Sequence, residues 1–269
     1  MARVSISSMF LWDLDPKGMA DVIVEAGLEE IEFWAETPWY WEGERREELA
    51  EEIRSAFSGL KMTLHGPVMD LNPSSYNDLV CQATIAESLR AIDLAAFLGA
   101  KVVTIHPGKR TAKRPVRDTE RQKFCKYLDA CLGRAEERGV LLALENLEPA
   151  PWSICAEPEE MVRFLEEFPI GMTLDISHAT PPLSRAIAFV DHLKYRILNV
   201  HVSSTKNGVR HLLPSDGSVD QVLEALRDAG YGGPMTLELD DKKFSKTLSK
   251  DDKVRVLRNE RLHLESVWL

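Results

Sequence analysis

The stretch FLGAKVVTIH, residues 97–106, decides how this chain folds. It ends an amphipathic segment at Gly99, continues through a β-branched run and stops at His106. Glycine is common where a helix ends, and β-branched residues favour strands. The same order of helix, glycine and strand recurs in EAGLEEIEF, ERGVLLAL and AGYGGPMTL. The pattern therefore predicts repeated helix–strand units with parallel strands.

Eight strand candidates of this kind are distributed along the chain, and each is followed by an amphipathic, helix-like segment. They are ARVSIS, EEIEFW, KMTLH, KVVTIH, VLLALE, GMTLD, ILNVHV and PMTLEL. Eight alternating units in 269 residues predict an α/β fold, a single (β/α)8 TIM barrel that spans residues 1–269. A doubly wound open sheet is the structural alternative, but no GxGxxG motif follows the first strand candidate.

The composition disfavours several classes of function. A net charge of −10 and a pI near 5.3 argue against nonspecific attraction to nucleic acid or to an anionic membrane. The four cysteines, at positions 81, 125, 131 and 155, lack CxxC spacing, so we expect reduced thiols. No apolar run approaches the roughly 20 residues that span a bilayer. We therefore expect a cytoplasmic protein that acts on small molecules, either as a monomer or as a homo-oligomer.

Six successive strand candidates end in a side chain that can bind a metal. In order along the chain these are His65, His106, Glu145, Asp175, His201 and Glu238. The carboxyl ends of all strands of a barrel meet at one face, so these side chains should surround one pocket. His178, three residues after Asp175, should reach into the same pocket from the following loop.

A ring of carboxylates at a barrel mouth needs compensation, because an unpaired buried charge is costly. We expect one divalent cation bound by Glu145, Asp175, His201 and Glu238, and this oxygen-rich set suits Mn²⁺, Mg²⁺, Co²⁺ or Zn²⁺. Four further histidines can hold a second or third ion of zinc type: His65, His106, His178 and His211. The residues two positions before the strand ends are small and mostly polar, as expected for groups that orient ligands: Thr63, Thr104, Ala143, Thr173, Asn199 and Thr236.

At these residues the chain resembles the xylose-isomerase-like TIM barrel superfamily, which includes sugar and sugar-phosphate isomerases, sugar epimerases and the endonuclease IV class of repair enzymes. The resemblance covers essentially the whole length. It rests on TLHGP, TIHPG, LALENLEP, TLDISHA, NVHVSS, RHLLPSDGSVD and LELD. The ketose epimerases of this group hold their cation through a Glu, an Asp, a His and a Glu, which match Glu145, Asp175, His201 and Glu238.

The resemblance to endonuclease IV is incomplete. His65, His106 and His178 match three histidines of its trinuclear zinc site. The Asp-x-His element that follows the seventh strand reads VRH here, so His211 is present but Val209 replaces the carboxylate. The first strand also lacks the histidine-containing start of the repair enzymes. The resemblance therefore implies one firmly matched cation site.

Two further groups of residues are candidate substrate contacts. Glu32, near the end of the second strand candidate, is either a polar substrate contact or additional metal ligand in the pocket, or a solvated or paired glutamate. The segment GKRTAKRPVRDTERQK, residues 108–123, is strongly basic and begins at the predicted active-site rim. A solvated loop and helix face is the more common origin of such a charge run, and capture of an anionic substrate group is the alternative. The candidates for binding a phosphate or another anion are Lys109 and Arg110, with Lys206 and Arg210 after the seventh strand.

The resulting hypothesis is a metal-dependent isomerase or epimerase of a sugar, a sugar phosphate or a similar polyhydroxy carbonyl compound. Glu145 and Glu238 would exchange a proton as base and acid through an enediolate that the cation stabilises, and His178 would polarise a substrate oxygen. The alternative is a zinc-dependent endonuclease for abasic DNA, and only this alternative implies a nucleic-acid partner. A barrel that binds a ligand without turnover is a third reading.

Overall fold

The computed structural model describes residues 3–43, 45–216 and 219–269. Two pieces of the sequence predictions fall outside these ranges. Ala2 begins the first predicted strand, and residues 217–218 belong to the motif RHLLPSDGSVD.

Eight parallel strands close into a barrel, as the repeated helix–strand pattern predicts. The barrel strands are β1 (Arg3–Ser7), β2 (Glu30–Trp34), β3 (Lys61–His65), β4 (Val102–Ile105), β5 (Leu141–Glu145), β6 (Gly171–Asp175), β7 (Ile197–Val202) and β10 (Pro234–Leu237). Each pairs with its neighbours in chain order, and β1 closes the ring against β10. The predicted (β/α)8 barrel is confirmed.

The helices form the outer layer of the barrel. Their bounds are α1 (Pro16–Glu25), α2 (Pro38–Trp41), α3 (Arg46–Ala56), α4 (Asp78–Leu98), α5 (Asp118–Arg138), α6 (Pro158–Glu167), α7 (Ile176–Ala179), α8 (Leu183–Leu193), α9 (Asp220–Asp228) and α10 (Lys250–Trp268). The short helices α2 and α7 are additional to the eight-unit pattern and lie in loops at the carboxyl end of the barrel. Within the described ranges, no helix is long and apolar enough to cross a membrane.

A two-stranded antiparallel sheet follows β7 and was not predicted. It consists of β8 (Ser204–Lys206) and β9 (Val209–Leu212), and Asn207 and Gly208 at its turn both have positive φ. Asparagine and glycine tolerate this backbone conformation, which two-residue hairpin turns require. The hairpin carries His211 back toward the barrel mouth, because β9 runs antiparallel to β8.

Glycine ends helices where the sequence predicts it. Gly99 after α4 and Gly139 after α5 both adopt the left-handed conformation, with φ of 76° and 67°. The backbone N–H of each bonds to carbonyls of the last helical turn. Only three residues therefore separate α4 from β4, and two separate α5 from β5.

The strand register determines where along the barrel axis the site residues lie. Asp175 on β6 pairs with His201 on β7, and His201 pairs with Thr236 on β10. Alternate residues of a strand point to the same face, so Thr236 and Glu238 both project into the barrel. Below this polar layer the barrel and its helices bury a continuous apolar core. The four cysteines are unpaired in the structure, two of them buried and two partly buried.

Candidate metal centre

Four buried side chains meet at the carboxyl end of the barrel, and they are the predicted set: Glu145, Asp175, His201 and Glu238. One ligand atom from each lies within 4.8 Å of the others. The Nδ1 atom of His201 lies 3.4 Å from Oε2 of Glu238, 3.5 Å from Oε1 of Glu145 and 3.9 Å from Oδ2 of Asp175. Strands β5, β6 and β7, and the residue that follows β10, thus each direct one potential ligand atom to a single point.

Asp175 shows how the chain directs one oxygen to this point. It is the last residue of β6 and the N-cap of α7, and its Oδ1 accepts a hydrogen bond from the His178 backbone N–H at 2.6 Å. A capping aspartate uses one oxygen in this way. The other oxygen, Oδ2, is left to face the cluster.

The donor atoms of this cluster fit a cation. Glu145 Oε1, Asp175 Oδ2, His201 Nδ1 and Glu238 Oε2 are all buried and have no hydrogen-bond partner within the described residues. Buried polar atoms almost always have a hydrogen-bond partner. Four potential ligand atoms that lack one, gathered at a single point, therefore cost free energy. A divalent cation bound by three carboxylates and an imidazole removes this cost, so the residues present fit the group that the sequence predicts.

A second group of potential ligands shares Glu145 with the first. Oε2 of Glu145 lies 2.8 Å from Nε2 of His106 and 3.3 Å from Nε2 of His65. These three residues also satisfy the spacing of a metal site. The His65 ring stacks on Trp34, with ring centroids 4.3 Å apart, and its Nδ1 bonds to the Gly66 carbonyl at 2.7 Å. Glu145 therefore presents one oxygen to the main cluster and the other to two histidines.

His178 and His211 lie beside the main cluster. Nδ1 of His178 donates to the Asn146 carbonyl at 3.0 Å and lies 3.4 Å from Glu145 Oε1. Nδ1 of His211 lies 3.4 Å from Glu238 Oε2, and the residue has a φ of 58°, an uncommon conformation for histidine. Neither belongs to a group of three potential ligands in the part of the chain that the structure describes. Because position 209 on β9 is a valine, the hairpin supplies no carboxylate there.

The charges of the cluster are strongly coupled. Burial raises the pKa of Asp175 to about 6. Burial opposes the charge on His178, but Asp175 and Glu145 outweigh it and raise the pKa of His178 to about 10. Burial likewise opposes the charge on Glu145, whose pKa is nonetheless lowered by His106 and His201. At His178 and at Glu145, the opposite charge of neighbouring side chains therefore outweighs the effect of burial on the pKa.

Glu32 lies one layer below the ligands, inside the barrel, and is fully buried. Its Oε2 accepts from His201 Nε2 at 2.8 Å and from Asn199 at 3.1 Å, while its Oε1 accepts from Thr104 at 2.9 Å. The sequence left Glu32 as a substrate contact, an additional ligand or a paired glutamate. The structure places it in a paired environment, with both oxygens bonded to protein donors.

The basic segment after β4 is mostly engaged within the fold. Arg110 bonds to the Tyr76 hydroxyl at 2.6 Å and to the Pro115 carbonyl at 2.7 Å, and it lies 3.7 Å from Glu120. The Lys109 side chain, in contrast, is exposed.

The two basic candidates after β7 also differ. Arg210 bonds to the Ser177 carbonyl at 3.3 Å and lies 3.9 Å from Glu148. Lys206 is exposed at the end of β8. The hairpin β8–β9 therefore carries both of these cations beside α7, which contains Ser177 and His178.

Asn146 is a site residue that the sequence interpretation did not single out. Its Oδ1 accepts from the Asp175 backbone N–H at 2.8 Å, and its Nδ2 donates to the Asp175 carbonyl at 3.0 Å. Its own carbonyl accepts from His178. The signal was a polar residue directly after the ligand Glu145, in the motif LALENLEP. Asn146 fixes both ends of the short segment that carries Asp175 and His178.

Comparison with known proteins agrees with the architecture. A family model described as xylose isomerase-like TIM barrel matches residues 20–261. A solved structure of D-psicose 3-epimerase in the presence of D-fructose superimposes with a TM-score of 0.80 at 18% identity, over 99% of each chain. At this identity the likeness establishes the fold alone.

Two sequence relatives bear on the chemistry. The uncharacterized protein MJ1188 of Methanocaldococcus jannaschii is 32% identical over 99% of this chain and 100% of its own. Endonuclease 4 of Thermus thermophilus is 28% identical over 61% of this chain and 59% of its own. The relatives thus include a protein without a known activity and a nuclease.

Proposed function

Because this chain belongs to the xylose isomerase-like TIM barrel family, we propose that it is a divalent-metal-dependent isomerase or epimerase. Its substrate would be a sugar, a sugar phosphate or a similar polyhydroxy carbonyl compound. The observation that carries the proposal is the convergence of four unpartnered donor atoms from Glu145, Asp175, His201 and Glu238. The likeness in fold to D-psicose 3-epimerase, an enzyme named for a sugar epimerisation, supports it.

The proposed roles divide the four ligands into two kinds. A bound divalent cation supplies electrostatic stabilisation for the negative charge that develops on the substrate oxygens. Asp175, with one oxygen committed to the cap of α7, serves as a ligand only. Glu145 and Glu238 stand on β5 and after β10, on either side of β6 and β7. They are the carboxylates that take a proton from one face of the substrate and return one to the other.

The neighbouring histidines support this proton exchange. His106 and His65 contact Oε2 of Glu145, so they hold this carboxylate ionised and ready to accept a proton. His178 donates Nδ1–H to the Asn146 carbonyl, which fixes its ring beside Glu145. We assign it the role of hydrogen-bonding a substrate oxygen. The exposed Lys109 and Lys206 are the groups available for a phosphate on the substrate.

Solvent deuterium exchange tests the proposal directly. The Mn²⁺- or Co²⁺-loaded protein is incubated in D₂O with a panel of ketoses, aldoses and their phosphates, and each sugar is recovered for proton NMR. We expect deuterium at the carbon beside the carbonyl in one substrate, and no exchange with the Asp175→Asn protein. A cation-loaded protein that exchanges no carbon-bound proton in any sugar of the panel would refute the isomerase assignment.

A second candidate function is favoured by a specific observation. His65, His106 and Glu145 form a further group that can hold a metal, and Endonuclease 4 of Thermus thermophilus is a sequence relative. Two ions that share a carboxylate suit the activation of water for attack on a phosphodiester. Cleavage of a duplex with one abasic site by the zinc-loaded protein, at a rate that falls in His106→Ala, would assign the chain to this class.

A further inference from the structure

Glu32 is a fully buried carboxylate beneath the candidate metal centre, and both of its oxygens accept hydrogen bonds from protein donors. We propose that Glu32 is a positioning residue that holds His201 in a single tautomer with its Nδ1 open to a cation. The inference rests on the proposed function only in requiring that a cation binds at the main cluster. It assigns no contact between Glu32 and the substrate.

The first step concerns the proton of the imidazole. A neutral histidine carries one N–H and one lone pair, and the group that bonds to one nitrogen decides which is which. Glu32 Oε2 lies 2.8 Å from Nε2 of His201, and an ionised carboxylate only accepts hydrogen bonds. The proton therefore stays on Nε2. The lone pair is at Nδ1, the atom that faces Glu145, Asp175 and Glu238.

The second step concerns the other donors to Glu32, which fix its position. Asn199 on β7 donates through Nδ2 at 3.1 Å, and its Oδ1 is occupied by the Thr236 hydroxyl at 2.9 Å. The orientation of the amide is thus determined. Thr104 on β4 gives its proton to Glu32 Oε1, so Thr173, 2.9 Å away, must donate to Thr104. Thr104, Asn199 and His201 therefore all donate hydrogen bonds to the ionised Glu32 carboxylate, and Thr173 donates to Thr104.

The third step concerns the cost of this arrangement. Glu32 has no exposed surface, and a buried carboxylate is expensive unless it is paired and fully bonded. The barrel supplies three donors from β4 and β7 to hold this charge, although an uncharged glutamine would fill the same space. A carboxylate that bonds the far nitrogen of a ligating histidine fixes its ring and raises its basicity. This function accounts for the charge, whereas packing does not.

The test compares Glu32→Gln with Ser5→Ala, a control at another buried polar residue of the barrel. Ser5 pairs with Thr236 across β1 and β10, and its hydroxyl has no partner within the described residues. Zn²⁺ affinity is measured by competition with a chromophoric chelator at pH 7. We expect Glu32→Gln to weaken binding by about 10–100-fold, the usual effect of losing such a partner, and Ser5→Ala to remain within about threefold of the wild type.

A second measurement needs no variant. In the Zn²⁺-loaded wild type, nitrogen-15 NMR of the histidine side chains should show His201 protonated at Nε2 and not at Nδ1, with that proton protected from exchange. An Nδ1-protonated His201, or Zn²⁺ binding to Glu32→Gln at wild-type affinity, would overturn the inference and leave the proposed function intact. Failure of the wild type to bind any divalent cation would instead refute the proposed function.

Discussion

Nε2 of His106 lies 2.8 Å from Oε2 of Glu145, and Oε1 of the same carboxylate lies 3.5 Å from Nδ1 of His201. Glu145 therefore connects two groups of potential ligands, one with Asp175, His201 and Glu238 and one with His65 and His106. Within the described residues, the first group offers four potential ligand atoms that have no hydrogen-bond partner. In the second group, Glu145 Oε2 already has a hydrogen bond to His65 and an ion-pair contact with His106, so it has less need of an ion.

This difference predicts the metal content. We expect one tightly bound divalent cation per chain after purification and dialysis, and we expect His106→Ala to retain it, because His106 contacts Oε2 and not Oε1 of Glu145. Elemental analysis of both proteins by plasma mass spectrometry provides the measurement. Two or more zinc ions per wild-type chain, with one lost in His106→Ala, would contradict this prediction and favour the hydrolase.

Replacing Asp175 should remove the cation without unfolding the barrel. Asp175→Asn keeps an oxygen for the cap of α7 and changes the group that faces the cluster, so we expect loss of stoichiometric metal with a nearly unchanged far-ultraviolet circular dichroism spectrum. Asp129→Asn, on the exposed face of α5, is the matched control and should bind metal normally. Full metal occupancy in Asp175→Asn would remove the cluster as a binding site.

The sequence predicts the barrel and its ring of metal-capable residues because both follow from local patterns. Each strand is a short β-branched run, and each of the six residues stands at or beside its carboxyl end, from His65 to Glu238. The partners of these residues depend on register across the sheet, which local patterns do not contain. Glu32 and His201 are separated by 169 positions and bond only because β2 and β7 face each other across the closed barrel.

The hairpin and the rim illustrate what sequence reasoning could not supply. The position of His211 depends on an antiparallel turn at Asn207 and Gly208, inserted between two barrel strands. For the basic segment after β4, the sequence reveals the number of charges but not which of them are free. Whether a given cation is free depends on distant partners, and Tyr76 and Glu120 engage Arg110, whereas Lys109 projects outward.

Because Lys109 is exposed and Arg110 is bonded within the fold, replacing them should affect different properties of the protein. Lys109→Ala should raise KM for a phosphorylated substrate by about 10-fold, the scale of one lost charge-assisted hydrogen bond at an exposed site, and leave the unfolding temperature unchanged. Arg110→Ala should lower the unfolding temperature, because it removes contacts to Tyr76 and Pro115. Steady-state kinetics and thermal unfolding of both variants provide the comparison. Equal KM values for Lys109→Ala and wild type would exclude Lys109 as an anion contact.

Glu120 predicts a pH dependence of stability that is independent of the metal. The hydrogen bonds from the Arg117 guanidinium, opposed by burial, lower the pKa of Glu120 from 4.5 to about 2. A lowered pKa in the folded state stabilises the fold above the unfolded value of 4.5, and this contribution disappears as the pH falls from 4.5 toward 2. We expect Glu120→Gln to lose about 1–3 kcal/mol of unfolding free energy at pH 7.

Urea unfolding of the metal-free proteins at several pH values measures this difference. The gap between wild type and Glu120→Gln should be constant from pH 7 to pH 5 and should narrow below pH 4.5, since the wild type then becomes protonated at the same position. Glu137→Gln, on the exposed face of the same helix, should show a much smaller gap at every pH. A gap for Glu120→Gln that widened with acidification would have the wrong sign for a lowered pKa.

The proposed proton exchange depends most directly on the two glutamates that flank the site, Glu145 and Glu238. Glu145→Gln and Glu238→Gln each keep the size of the side chain and one ligand oxygen but remove the ionisable group. Turnover of the isomerised sugar should fall by at least 10²–10⁴-fold in each variant, the share of general acid–base catalysis, because both faces of the substrate need a carboxylate. The cation content of each variant is measured alongside, so that lost chemistry is separated from lost metal.

The two variants should also differ from each other in a way that identifies their roles. With one epimer as substrate, the glutamate that removes the proton controls the exchange of that proton with D₂O, whereas the other controls only product formation. We therefore expect one variant to retain deuterium exchange into the recovered substrate while forming no product, and the opposite epimer to exchange the behaviour of the two variants. Retention of full turnover by either metal-loaded variant would show that the proton passes through another group, and His178, 3.4 Å from Glu145, would then be the residue to replace next.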